Sequence, residues 1–167
     1  PLPRLTAATE LLFAGSTEAD AFLTLNGELV ELRDGAFSVA IPLKPGPNAL
    51  ELISADAVGN IRVDTWTVAL DQDAPELVTA NLEREPEGDR VRLYIDVAAA
   101  DNSGLAAAAP FTLATASGPT SGYLRFNRAT NTYSGSVSVA SSDAAAARLT
   151  SIELRDDAGN TRTFDLN

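Results

Sequence analysis

The sequence predicts an all-β fold built as two small sandwiches in tandem. Three observations carry that prediction: strand-period alternation along most of the chain, turn residues at short spacing, and one acidic glycine turn written twice. In "RVRLYIDV", Val91, Leu93, Ile95 and Val97 fall on one face and Arg92, Tyr94 and Asp96 on the other, the two-residue period of a half-buried strand. The same period groups Phe37, Val39 and Ile41 in "AFSVAI", and Trp66, Val68 and Leu70 in "TWTVAL", which assigns Trp66 to the core. In "YSGSVSV" it groups Tyr133, Val137 and Val139 and turns Ser134, Ser136 and Ser138 to water. Helical periodicity is nearly missing. The best helix candidate is "SDAAAARL", with Ser142 or Asp143 as N-cap, and it is one or two turns long.

Turn punctuation separates these runs: "LNGEL" at Asn26 and Gly27, "RDGAF" at Asp34 and Gly35, "KPGPN" from Lys44 to Asn48, "EPEGD" from Glu85 to Asp89, and "DNSG" from Asp101 to Gly104. Asn-Gly and Asp-Gly pairs suit hairpins because tight hairpin turns require positive φ, which these residues adopt at low cost. The Ala-rich stretch "AAAAP", residues 106 to 110, is expected to be a loop or sheet edge, and Tyr123 to lie near a loop.

The repeated turn organises the chain. At an offset of one hundred, Asp56, Gly59, Asn60 and Arg62 align with Asp156, Gly159, Asn160 and Arg162, and near an offset of 96 the "FSVAI" strand aligns with "YSGSV". The joint falls at "LDQDAPEL". There Pro75 offers no N–H and pushes Ala74 toward extended geometry, as a short stiff connector would require. The expected domains are residues 1–73 and 74–167.

Composition narrows the chemistry. The chain has no Cys, His or Met, which removes disulfides, thiol nucleophiles, imidazole bases and soft-metal ligation and leaves oxygen ligands. Its net charge of −11 repels a phosphate backbone and an anionic bilayer alike, so nucleic acid is not an expected partner and cations are. No apolar run approaches the roughly 18 residues of a membrane span, so membrane insertion is not expected. The chain opens on Pro1 without a charged, then apolar, then small-residue leader. It is read as a piece of a longer polypeptide whose targeting signal lies elsewhere.

The stretch "FAGSTEADAFLTLNGELVELRDGAFSVAIPLKPGPNALELISADAVGNIRVDTWTV" resembles the bacterial immunoglobulin-like (Big) repeats of the glucodextranase type. Those repeats run through an Asn-Gly hairpin, an Asp-Gly strand, a Gly-x-Asn turn and an Asp-x-x-Gly-Asn turn. The likeness covers most of residues 9 to 70. The second unit is similar at "TNTYSGSV", "SIEL" and "DDAGNTRTF" only; "NRATN" stands where the Asn-Gly hairpin would be, and "DNSGLAAAAPFTLATASGPTSG" lengthens its middle. The resemblance implies two tandem immunoglobulin-like β-sandwich domains, secreted or surface-borne and usually without catalysis, found in adhesins or beside the catalytic domains of carbohydrate-active enzymes.

In such sandwiches the second-to-third and sixth-to-seventh strand connections return to the end where the chain begins. "DNSG" and "DDAGN" should therefore gather beside "DQDAP", bringing Asp71, Asp73, Asp101, Asn102, Asp156 and Asp157 to one junction. Two carboxylates about 5 Å apart repel by roughly 1 to 3 kcal/mol. Calcium, which accepts six to eight oxygens without strict geometry, would relieve that repulsion and stiffen the joint. The arrangement is similar to the calcium-bridged linkers of cadherins and of some bacterial adhesin repeats. A thinner set, Glu18, Asp20 and Asp56, marks the corresponding end of the first unit. The alternative needs no ion, because Asp, Asn and Gly are the ordinary residues of tight turns, where the side chain caps a backbone N–H.

No catalytic residue is assigned: Asp156 and Asp157 adjoin in a turn without an apolar pocket to raise one pKa, and no serine has an activating base. Arg62 and Arg162 are expected to pair with neighbouring acids. The expected function is a spacer or adhesive stalk of a large secreted or cell-surface bacterial protein. The alternative is an accessory or carbohydrate-contacting module of an extracellular polysaccharide-degrading enzyme, and a third is contact with protein through an open sheet edge. The expected partners are neighbouring domains of the same polypeptide and a cell-surface protein or glycan, with the chain itself a monomer.

Overall fold

Alternating residues in the sequence become paired strands in the computed structural model, which describes residues 2–166. The chain divides into two units, Pro1–Gln72 and Asp73–Asn167, each with its own hydrophobic core.

Unit 1 contains β1 (Leu5–Thr6), β2 (Glu10–Ser16), β3 (Phe22–Leu25), β4 (Glu28–Leu29), β5 (Ala36–Pro42), β6 (Gly46–Ala55) and β7 (Ile61–Leu70). Five of them form one sheet in the order β1, β7, β6, β3, β4, and β2 pairs antiparallel with β5 in a second. These strands pair antiparallel throughout, except β1 with β7. The inner faces enclose Phe13, Leu23, Leu25, Phe37, Ile41, Leu50, Val68 and Leu70. Trp66 is half-buried and packs edge-on to Phe13, with ring centroids 5.2 Å apart.

Two glycine turns show why the sequence folds this way. Asn26 and Gly27 take φ of 52° and 85° and join β3 to β4, while Asp34 and Gly35 take 51° and 78° inside a bridge between Arg33 and Ala36. At Gly35 a Cβ would stand 2.4 Å from the Thr17 carbonyl oxygen, so both the backbone angle and the space demand glycine. The "KPGPN" turn is shorter than expected because β6 already begins at Gly46. Asn48 closes it, accepting from the Lys44 N–H and donating to the Lys44 and Gly46 carbonyls.

Unit 2 contains β8 (Glu76–Glu87), β9 (Arg90–Ala100), β10 (Ala108–Thr115), β11 (Gly118–Asn127), β12 (Thr132–Ala140), the short helix α1 (Ser141–Ala144), β13 (Arg148–Arg155) and β14 (Thr161–Asp165). The strands run antiparallel in the order β14, β13, β10, β11, β12, β9, β8. Strand β11 makes the ladder continuous. Its first part, through Arg125, pairs with β10, and residues Arg125 to Asn127 pair with β12. The ladder closes over one core, in which Leu93, Ile95 and Val97 of β9 join Leu149, Ile152 and Leu154 of β13. This is the all-β sandwich the alternation predicts. Tyr133 is fully buried, Val139 is buried and Val137 partly so, while Ser134 and Ser136 face water.

Three local expectations are corrected. "AAAAP" is loop only at Ala106 and Ala107: Ala108 to Pro110 open β10, a central strand that at these three residues pairs with β11 alone, and Ala109 is fully buried. Alanine carries too little side-chain contrast to display a period. Pro110 is tolerated because pairing with β13 starts only at Phe111. The lengthened middle of the unit is therefore a hairpin, turning at Ala116 and Ser117, and Tyr123 stands mid-strand in β11 opposite Pro110. The helix is capped by neither Ser142 nor Asp143. Its N-cap is Ala140, without a side-chain hydrogen bond, and Asp143 instead accepts from the Ser117 N–H and hydroxyl.

Replacing Gly35 by alanine is expected to cost about 1–3 kcal/mol through backbone strain and the Thr17 contact. Ile152→Ala is expected to cost about 2–5 kcal/mol by emptying the centre of unit 2. Urea unfolding at equilibrium, read from the shift of midpoint at constant slope, checks both.

Candidate functional site

The repeated acidic turn shares its aspartate–asparagine contacts between the units and differs in one backbone donor. In unit 1, Asp56 Oδ1 accepts from the backbone N–H of Val58 at 3.0 Å and of Asn60 at 2.8 Å, and its Oδ2 accepts from the Asn60 side-chain amide at 2.6 Å. In unit 2, Asp156 Oδ1 accepts from the N–H of Gly159 at 2.5 Å and of Asn160 at 2.7 Å, and Oδ2 accepts from the Asn160 amide at 2.7 Å. Gly59 and Gly159 take φ of 91° and 104°. In each copy the aspartate caps the turn, the asparagine amide binds that aspartate, and the glycine bends the chain.

The copies differ in burial. Asp56 is partly exposed, whereas Asp156 is 2% exposed, beneath a bridge to Leu105. The Asn60 side-chain amide, helped by its backbone N–H, holds the Asp56 carboxyl below its ordinary value of 3.8.

Around Asp156 the end of unit 2 assembles three chain segments. The Asp157 N–H donates to the Gly104 carbonyl at 3.1 Å, and the Asn160 amide donates to the Asp73 carbonyl at 3.1 Å. The Asn102 amide lies 3.4 Å from Asp73 Oδ2. Asp101 Oδ1 accepts from both the N–H and the hydroxyl of Ser103, at 2.8 Å each. Asp73, Asp101 and Asn102 line a shallow pocket with Glu76 and Arg162, whose guanidinium stands 4.9 Å over the Phe164 ring. Within unit 2, then, Asp73, Asp101, Asn102, Asp156 and Asp157 occur at one end. Asp71 belongs to unit 1, where it is buried after β7 and its N–H donates to the Thr6 carbonyl. Glu18 and Asp20 are exposed, and the Asp56 carboxylate is engaged by its own turn.

Tyr133 sits behind this end. Its hydroxyl donates to the Ala106 carbonyl at 2.8 Å, and burial, with Asp157 nearby, pushes its pKa from 10.0 up to about 12. A phenol whose pKa is raised in the folded state contributes stability that is complete below 10 and is lost as pH climbs through 12.

Sequence reasoning missed a second feature, in unit 1. An open cleft of about 510 Å³ lies against β2 and β7, lined by the buried Phe13 and half-buried Trp66 and by Arg62, Asp64, Ser54 and Thr17. Arg62 and Asp64 form a two-pronged pair, Nε to Oδ2 at 2.7 Å and Nη2 to Oδ1 at 3.0 Å. The sequence pointed to an acid near Arg62 without naming one; the structure supplies Asp64. The detectable signal was a reversal along β7. Trp66, Val68 and Leu70 alternate inward, and two and four residues before Trp66 the same alternation falls on Asp64, 32% exposed, and Arg62, 77% exposed. The apolar Ile61 and Val63 between them are exposed as well.

No helix among the described residues is long and apolar enough to cross a membrane. Residues 11–72 match the family model described as glucodextranase, domain B, which covers most of unit 1 and none of unit 2. No curated protein sequence matches the chain.

Two titrations test the electrostatics. Asn60→Ala should raise the Asp56 pKa toward its ordinary value, seen in the carboxyl chemical shift. In the unaltered protein the turn should loosen only as pH falls through the lowered pKa, because a depressed carboxyl contributes stability above its unfolded value. Phenolate absorbance should show a tyrosine ionising near 12 that disappears in Tyr133→Phe.

Proposed function

We propose that the two units form a non-catalytic accessory part of an extracellular polysaccharide-degrading enzyme, where they dock beside the catalytic domain or touch its glycan. The observation that carries this reading is the match of residues 11–72 to domain B of glucodextranase. The sandwich of unit 1 is consistent with it, as is the chemistry of a chain without histidine or cysteine. The rival role, a spacer or adhesive stalk of a surface protein, would use the same folds. What separates them is behaviour toward polysaccharide. The accessory role predicts that the protein is retarded in native gels containing a neutral polysaccharide such as dextran, relative to a blank gel. Unchanged mobility across several glucans, together with no binding to an isolated glycoside hydrolase domain from the parent polypeptide, would count for the stalk.

A calcium ion at the acidic end of unit 2 is a second reading, supported by the oxygen-only donor set of Asp73, Asp101, Asn102, Asp156 and Asp157. The set expected from the sequence also includes Asp71, whose carboxylate belongs to unit 1. These hard ligands suit calcium, which tolerates mixed carboxylate and amide oxygens. In competition with it, Asp156 and Asp101 already accept hydrogen bonds within their own turns. Bound calcium would offset the negative charge of these loops and hold them against one another. Thermal melting should then rise in millimolar calcium over EDTA, by about 2.7 kcal/mol of stability at a hundredfold excess over Kd, and Asp101→Ala should abolish the rise. Identical melting in both solutions leaves the turns as purely structural.

A further inference from the structure

The cleft of unit 1 breaks the rule that made the rest of the sandwich legible. Along β7 the alternation that buries Leu70 and Val68 and half-buries Trp66 continues through Asp64, whose side chain is 32% exposed, to Arg62, which is 77% exposed, while the intervening Val63 and Ile61 are exposed too. Register carries the change into the next strand, where Ser54 lies opposite Arg62 and Leu52 opposite Asp64. The end of the strand thus carries charge where the alternation would place apolar side chains, and local violations of patterning of this sort concentrate at functional positions. Gly15 of β2 adds to the opening: any Cβ there would meet the Phe37 ring at 2.8 Å, so the wall stays thin beside the cleft.

We propose that this cleft binds a neutral oligosaccharide. The inference rests on the accessory-module reading and names the place where glycan is held. Its volume of about 510 Å³ falls in the range of small-ligand sites, roughly 300–1,000 Å³. Trp66, held edge-on by Phe13, offers an apolar surface for the C–H face of a sugar ring. In the lining, Arg62 supplies N–H donors and Asp64 supplies acceptors, held together as a two-pronged pair. Neighbouring sugar hydroxyls, each both donor and acceptor, can bridge such a pair without displacing it. Ser54 and Thr17 add hydroxyls. Charge selects the class: Asp64 neutralises Arg62 and the chain as a whole carries −11, so uronic or sulfated glycans are disfavoured and uncharged ones are not.

The chain contains one tryptophan, so its emission reports on the surroundings of Trp66, which include this cleft. The full chain of residues 1–167 would be titrated with dextran-derived and starch-derived oligosaccharides, with dextran sulfate as the anionic comparison. The expected result is a saturable change in Trp66 emission with at least one neutral probe and none with dextran sulfate. Asp64→Asn and Arg62→Gln should each weaken half-saturation about tenfold or more, whereas Tyr123→Ala, in the other unit, should leave the curve unchanged. If circular dichroism shows that a charge variant has lost its fold, Ser54→Ala carries the same test with a few-fold weakening expected. Flat emission up to the solubility limit of both neutral probes overturns the site. Retardation in a dextran gel with flat emission also overturns it, while leaving glycan contact elsewhere on the accessory module intact. Absence of both removes glycan contact along with the cleft.

Discussion

A carboxylate that satisfies the backbone of its own turn holds the end of unit 2 together. Asp156 is nearly inaccessible to solvent, and it meets the cost of burial by accepting from Gly159 and twice from Asn160. With that turn set, the side chain of Asn160 is placed to reach the Asp73 carbonyl, and the Asp157 N–H to reach Gly104. Three segments distant in sequence are thereby tied through one residue. The charged residues Asp73, Asp101 and Asp157 belong to the segments these hydrogen bonds gather.

The twin turn in unit 1 shows how far identical residues can diverge in role. Asp56 makes the same two contacts to its asparagine in an exposed setting, where the surrounding water already satisfies polar groups and the hydrogen bonds contribute less. Repetition of the motif therefore reports a common turn, and the neighbours of each copy decide its consequences. The aligned arginines diverge too: Arg62 is drawn to Asp64 within unit 1, and Arg162 stacks over Phe164 in unit 2.

Both units solve the sandwich problem with different pairings. Unit 1 splits its strands into sheets of five and two, whereas unit 2 keeps a single ladder because β11 exchanges partners at Arg125. That exchange depends on the hairpin formed from the stretch that lengthens the second unit, a segment whose alanines and glycines carry little pattern. Gly122 and Gly135 help it pack, since a Cβ at the first would press on Phe111 and at the second on Leu124. Small residues weaken a strand's own propensity, and here they admit larger neighbours to the core.

Much of this was legible in the sequence wherever side-chain contrast is strong. Val91 to Val97 and Phe37 to Ile41 display their buried faces because polar and apolar residues alternate, and Asn26-Gly27 and Asp34-Gly35 disclose their turns because few other pairs tolerate positive φ. Those local preferences determined the strand class, the hairpins and the candidate acidic residues. Tertiary structure alone decided that Ala108 to Pro110 would open a central strand, that Asp143 would serve Ser117 instead of capping its helix, and that Arg62 and Asp64 would face a cleft. The physical reason is range: a period or a turn is written within a few neighbouring residues, while a strand's partners, and the burial they confer, depend on segments brought together only when the chain has folded.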